Sequence, residues 1–428
     1  MVITSHEQLT HLINRLREET AYVYPVAVDA FMHNIQNHIS SLHFRFDDGT
    51  FYTVSVNHPD APHFEVDLSE SHKLVTLYKK ELLYLTNAKN IVDLATLVHL
   101  NYGEIPVYRD YYTMGIHHIK NQFKFKNLHY SIPLTSWIET AEAFLQHCQH
   151  LYQRYQSTET TPAYKFVNNI TIPTLTSIEK SGVCTTDGFV YSDYNIYTST
   201  GRPSNAFGGI NFAALNKNDG TREKFISRFG ENGTLVQFDY EAFHLRLAAH
   251  RIQFSLPDTS VHTYLAEQYY GTTEITPEMY EDSKARTFAI MYGQTEDTGG
   301  VKFFDELRSF ADTLWGIHKM SGHVPGWSGR IIRVPEPNPT KVFNYYMQLM
   351  ETEEAMVRVG EVCRFLRYFK SKVVLYTYDA ILLDVSNDEL HLMEMVSSML
   401  SRGIHETDNY PVREYRGTNY NNLILHKI

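Results

Sequence analysis

"VVLYTYDAILLDV", residues 373–385, is apolar or aromatic almost throughout, yet it sets Asp379 in its middle. A run of Val, Leu, Tyr and Ile of this length predicts a strand buried on at least one face. A carboxylate there is costly unless a partner compensates it. A second stretch repeats the pattern. "TLVQFDYEAFHLRLAAHRI" (234–252) begins as an apolar strand, reaches Asp239, and turns helical, with Phe243, Leu247 and Ala248 at helical spacing. Two such strands side by side would bring Asp239 and Asp379 together at a sheet surface. Two carboxylates about 4 Å apart repel by roughly 4 kcal/mol at an effective dielectric near 20. Magnesium between them would relieve that repulsion, with oxygen ligands, retained waters and a phosphate completing the shell. Alternatively, each aspartate separately meets a backbone donor or an arginine, and spacing does not decide between the two. Asp384, in the same apolar run, is expected to face solvent or bond to the backbone.

A third stretch favours the metal reading. "SKARTFAIMYGQ" (283–294) spaces Lys284, Phe288 and Tyr292 four apart, on one broad helix face, before Gly293 ends the helix. One cation followed by two aromatics suits a nucleotide: charge for phosphates, rings for sugar and base. Taken alone, such a face is more commonly two core aromatics and a snorkelling lysine.

Composition sets the bounds. The chain of 428 residues is 43% hydrophobic and 20% charged, which predicts a globular protein of about two or three domains. No stretch approaches a membrane span, and "MVITSHEQLTHLINRLREET" has no apolar signal core. A cytoplasmic location is expected, and the well-separated Cys148, Cys184 and Cys363 suit a reducing compartment. A net charge of −11 argues against a surface that traps nucleic acid everywhere, though not against a local basic cleft. Residues 22–70 alternate as strands. Helical patterns run from about 71 to 102, and an amphipathic helix follows in "TSWIETAEAFLQHCQHLYQRYQ", with Ser136 and Glu139 as a capping box. "STETTP" (157–162) reads as a linker.

The order of these elements resembles the family A DNA polymerases, the group of bacterial polymerase I and many phage replicases. The family's first palm motif, DYxxxELRxxAH, is matched by Asp239-Tyr240, Leu245-Arg246 and Ala249-His250. Its fingers motif is matched by Lys284, Phe288, Tyr292 and Gly293, and its final acidic motif by Asp379. "PTLTSIEKSGV" (173–183), "DGFVYSDYNIYTSTGRPS" (187–204), "TREKFISRF" (221–229), "PDTSVHTYLAEQYYG" (257–271) and "NYYMQ" (344–348) are similar to further family blocks, all in family order.

The resemblance implies an α+β right hand, with an antiparallel palm sheet, helical fingers and a reduced thumb, behind a small α/β exonuclease-like domain. The implied boundaries are 1–156 for that domain, 157–164 for the linker, 165–250 and 321–428 for the palm, and 251–320 for the fingers. It implies template-directed addition of deoxynucleotides to a primer 3′ end by two-metal phosphoryl transfer, without proofreading and with low processivity. Asp239, Asp379 and the carbonyl of Tyr240 would hold two Mg²⁺ ions, and Lys284 would neutralise phosphate charge. His244, His262, Phe288 and Tyr292 would meet the nucleotide. Arg202, Asn344, Gln348, Arg330 and Tyr378 would reach the primer–template DNA, with Arg222, Lys224, Arg228 and Arg333 candidates for a duplex track. Arg246 is expected to be a buried structural partner. Expected partners are primer–template, dNTPs and a processivity protein, with no membrane. The stripped-down domain set suggests a virus of bacteria, working in the host cytoplasm.

The chain also departs from the family. His244 stands where a glutamate closes the sugar pocket, so a polymerase accepting ribonucleotides is an alternative. Ala380 replaces a third acid. Tyr280 replaces a phosphate-binding arginine, a loss for which Arg286 is a poor substitute and His262 a partial one. Only Cys184–Thr186 lie where relatives insert a thumb of about a hundred residues. These losses motivate a second alternative, a catalytically inactive primer–template-binding subunit. A nuclease could pair aspartates too, but would not need the Lys284 face. The N-terminal part resembles the family's exonuclease domain weakly. Phe31 holds its glutamate position, so Asp29, Asp93 and Asp110 are read as ordinary residues.

Overall fold

The computed structural model describes residues 1–28, 33–102, 132–205, 212–216, 219–293 and 297–427. The chain divides into two units, Met1–Thr176 and Ser177–Ile428. Each has its own five-stranded sheet.

In the first unit, three antiparallel strands, β1 (Thr20–Ala27), β2 (Ile39–Phe46) and β3 (Phe51–Ser55), are followed by β4 (Lys73–Thr76) and β5 (Ile91–Asp93). The last two run parallel to β1, giving the order β3-β2-β1-β4-β5. The alternation over 22–70 thus marks strands correctly, but β4 and β5 fall in the region read as helical. Both are too short to show a period. The helix Leu134–Tyr155 lays Trp137, Ala141, Leu145, Cys148 and Tyr152 onto β1 and β2. It starts before the expected cap. Pro133 is its first boundary residue, and Asp60 rather than Ser136 accepts the free N–H of Leu134. The "STETTP" segment is folded rather than a linker: Gln156–Thr160 is a 3₁₀ turn whose Glu159 pairs with Lys73 at 3.0 Å. The unit boundary lies further on, within the helix Ile172–Ser181.

Asp93 is structural. Buried at the end of β5, it accepts bonds from the N–H of Lys79, the N–H of Thr96 and the Thr96 hydroxyl, and so caps the helix Leu94–Tyr102. Asp29, Phe31 and Asp110 lie outside the described residues.

The second unit opens with two ribbons, β6 (Val183–Thr185) with β7 (Gly188–Val190) and β8 (Tyr194–Asn195) with β9 (Ser204–Asn205). β10 (Gly233–Tyr240) follows, then the short pair β11 (Val324–Pro325) and β12 (Ile331–Ile332). The strands β13 (Lys372–Thr377), β14 (Ala380–Ser386), β15 (Val412–Gly417) and β16 (Ile424–Lys427) complete an antiparallel sheet ordered β13-β14-β10-β15-β16. The opening stretch is therefore a hairpin, β13 and β14 with Tyr378-Asp379 at its tip. A 28-residue helix, Pro339–Leu366, packs on β13 and on the helices Phe243–Ile252, Lys302–Ser321 and Met393–Ser401.

Of the two expectations for Asp384, the backbone bond holds and the solvent face does not. Asp384 is 1% exposed on β14. Arg228 Nε lies 2.8 Å from it, and the Arg228 N–H and Ser227 hydroxyl also donate to it. Its partners are thus the guanidinium and one turn of backbone, which is why an apolar strand tolerates it. Among the described residues no helix is long and apolar enough to cross a membrane.

Candidate active site

β10 alternates: Phe238 and Tyr240 are buried, while Asp239 between them is only partly covered. In register, Asp239 stands opposite Ala380 on β14 and opposite Arg413 on β15. Asp379 precedes Ala380, and its carbonyl accepts the N–H of Tyr240 at 2.9 Å. The two aspartates therefore sit on adjoining backbone, at the sheet end where the chain turns sharply through Ala242 (φ 51°) into the helix Phe243–Ile252. Tyr378, at φ 69°, is held in the left-handed region, which costs about 1–2 kcal/mol and fixes the hairpin tip.

Both aspartates line a cavity of about 270 Å³. The surface of Asp379 is open to it, yet enclosure by protein pushes its carboxyl up, and the charge of Glu351 adds to this; Arg202 and His244 oppose it. Excess negative charge at that point suits a divalent cation. Among the described residues no three His, Cys, Asp or Glu side chains form a ready-made cage. Two carboxylates beside a backbone carbonyl fit a hard ion that keeps its waters and takes other oxygens from a phosphate.

The opposite wall is the helix Pro277–Met291, started by Thr276 as cap with Pro277 behind it. Lys284, Phe288 and Tyr292 all reach the cavity. The Phe288 and Tyr292 rings lie parallel within 4°, centroids 6.0 Å apart. Gly293 (φ 68°) ends the helix where a Cβ would meet Thr340 Oγ1 at 2.5 Å, so only glycine fits. His262 also lines the cavity, tilted against Phe288 at 5.8 Å. Burial, with Lys284 and Arg413 nearby, lowers its pKa to about 4, so it is a neutral imidazole and no phosphate-binding cation. Tyr280 meets its edge at 6.1 Å. Arg286 points away, to Asp297.

Sequence reasoning missed a network. Glu351, 2% exposed on the helix Pro339–Leu366, lies 3.0 Å from Arg202 Nε and 3.4 Å from His244 Nε2. The other His244 nitrogen lies 2.9 Å from the Tyr292 hydroxyl. Arg202 in turn stacks over the Tyr378 ring at 3.6 Å. Asn344 and Gln348 share the helix face of Glu351, two turns and one turn before it. The one available signal was that spacing, extending the Asn344–Gln348 pair by three residues.

Other expected DNA contacts are placed differently. Arg330 is 7% exposed, donates to the Thr198 carbonyl and packs on Gly201, where no Cβ would fit. Burial lowers its pKa to about 10. It braces the Thr198–Arg202 turn from inside and does not face a duplex. Arg228 is committed to Asp384, and Arg222 donates to the Leu215 carbonyl at 2.7 Å. Arg246 is the buried structural partner expected, bonding Glu241 at 2.7 Å and the Thr259 carbonyl.

No family model matches the chain, and no curated protein does. Among solved structures it is similar to the POL domain of Pol1 from M. smegmatis, determined in complex with DNA primer-template and dNTP. The match has a TM-score of 0.76 and covers 99% of this chain and 100% of that one, at 12% sequence identity. At that identity the likeness is one of fold.

Proposed function

We propose that the chain is a template-directed DNA polymerase of the family A type, extending a primer 3′ end with deoxynucleotides. The observation that carries this reading is the convergence of Asp239, Asp379 and the Lys284–Phe288–Tyr292 face on one cavity, in a fold shared with a polymerase domain. Asp239, Asp379 and the Tyr240 carbonyl would hold two magnesium ions, which activate a hydroxyl nucleophile and neutralise a leaving pyrophosphate.

The chain's own groups supply the rest. Lys284 offsets phosphate charge as it builds. The parallel Phe288 and Tyr292 rings form a platform for sugar and base. Glu351 holds Arg202 and His244 at once, so the primer-side and nucleotide-side walls are set by one buried carboxylate. His244 Nδ1 lies 2.9 Å from the Tyr292 hydroxyl, while Nε2, 3.4 Å from Glu351, is buried without a hydrogen-bond partner. Held edge-on against Tyr292, the ring would stand as a steric gate to a ribose 2′-hydroxyl, which favours deoxynucleotides over the ribonucleotide-accepting alternative. In the first unit Asp93 is used up as a helix cap, which supports a domain without nuclease activity. Residues 165–250 and 321–428 serve as palm and 251–320 as fingers in this reading.

Single-nucleotide extension of a primed template with Mg²⁺ tests the proposal. Wild type is expected to extend, and Asp379→Asn to lose about a thousandfold or more in rate. Duplex binding without incorporation, unchanged by Asp379→Asn, would establish the inactive-subunit reading instead.

A further inference from the structure

The cavity carries one cation that none of the sequence motifs includes. Arg413 projects from β15 at the position opposite Asp239 and lines the cavity with Lys284 and His262. The three side chains come from separate elements, a strand and two helices, yet meet on one surface.

Their polar atoms are incompletely satisfied. Arg413 bonds the Tyr415 side chain and reaches Glu241 Oε1 only at 3.4 Å, and Glu241 is already bound by Arg246 at 2.7 Å and by the N–H of Val261 at 3.1 Å. Arg413 Nε is buried without a hydrogen-bond partner, and so is His262 Nδ1. Lys284 and Arg413 both help to hold His262 neutral, a sign that the positive charges stand close together. Like charges converging beside unused nitrogen atoms are unfavourable unless an anion joins them.

We propose that Arg413 is a phosphate-binding residue that forms, with Lys284, a subsite for the polyphosphate tail of the nucleotide. The guanidinium fork matches two phosphate oxygens where an ammonium supplies a point charge. Its place on β15 sets the anion grip on the same sheet as Asp239, so both ends of the charge distribution share one rigid support. The subsite rests on the polymerase reading only for the identity of its ligand.

Isothermal titration of the full chain with inorganic tripolyphosphate, with and without MgCl₂, tests it alongside KM for a single dNTP. Arg413→Gln is expected to weaken tripolyphosphate binding about tenfold to a hundredfold. It should raise KM for the dNTP more than it lowers kcat. Arg413→Lys keeps the charge and loses the fork, so it should bind between the two, and it carries the test if Arg413→Gln does not fold. Equal binding by wild type and Arg413→Gln, with Lys284→Ala weakened, would overturn the proposal and leave Arg413 as a counter-ion of Glu241. Failure of wild type to bind tripolyphosphate would overturn it too. Tripolyphosphate binding by wild type that is lost in Arg413→Gln, with no nucleotide addition by wild type, would support the subsite while refuting the polymerase reading.

Discussion

Asp379 occupies a position where its charge is useful and expensive together. Its folded-state pKa is raised, by enclosure first and then by Glu351. A carboxyl raised in this way contributes stability below its unfolded value near 3.8, and that contribution is lost as pH rises through the folded value. Asp379→Asn is therefore expected to melt slightly higher than wild type at neutral pH without divalent cations, with the gap closing in acid. Because the side chain opens onto the cavity, water screens the effect and the gain stays small. Adding Mg²⁺ should raise the wild-type melting temperature and leave the variant nearly unmoved. Thermal melts at acid and neutral pH, with chelator or Mg²⁺, check both parts, and an equal Mg²⁺ response would count against Asp379 as a ligand. This residue was legible in the sequence because a lone acid in an apolar strand demands a reason. For Asp384, in the same strand, the backbone bond was legible but the ion pair was not, because Arg228 lies 156 residues away and nothing local announces a buried pair.

At the scale of elements, periodicity carried far and partners did not. The four-residue spacing of Lys284, Phe288 and Tyr292 placed them on one helix face, and the structure keeps them there. The helix Pro339–Leu366 was harder, since beyond Asn344 and Gln348 no motif marked "ETEE", where Glu351, Glu353 and Glu354 are all buried. Each is held by something distant: Arg202 for Glu351, the Trp327 and Ser328 N–H groups for Glu353, the Ile404 N–H for Glu354. Burial raises Glu354 from 4.5 to about 7. Its stabilising contribution is thus complete below the unfolded value and lost as pH climbs through about 7. At about 1.4 kcal/mol per pKa unit, Glu354→Gln should gain at most about 3 kcal/mol over wild type in mild alkali, and little in acid. Denaturant melts across that range measure the gap, and a gap that does not change with pH refutes it. Gly293 gives a prediction of opposite sign. Gly293→Ala adds a Cβ at positive φ against Thr340, and should cost about 1–2 kcal/mol of stability. It should also raise KM for the nucleotide, because Tyr292 immediately precedes the strained position; unchanged KM would separate that helix end from the site.

For the whole molecule, the decisive feature is a two-residue turn between β6 and β7. They are joined through Thr186-Asp187 alone, with Thr185 paired to Gly188, so no further element is inserted at that point. The net charge of −11 offers no general attraction to a phosphate backbone. Of the residues expected at the DNA, Arg222, Arg228 and Arg330 are bound to internal partners. The number of phosphates the chain neutralises should accordingly be small. Since log K falls with log salt by about 0.9 per phosphate contact, the slope for a primed duplex should be shallower than the value of about −5 that six contacts would produce. Binding should be weak at moderate salt, and synthesis in the presence of an excess DNA trap should stop within a few additions. Fluorescence anisotropy across a salt series and trapped primer extension measure the two quantities independently. A steep slope or long trapped products would mean that another part of the chain grips the duplex, and the helix Leu134–Tyr155 would be the first place to substitute. A shallow slope with short products would instead direct the search to a partner protein that supplies the grip.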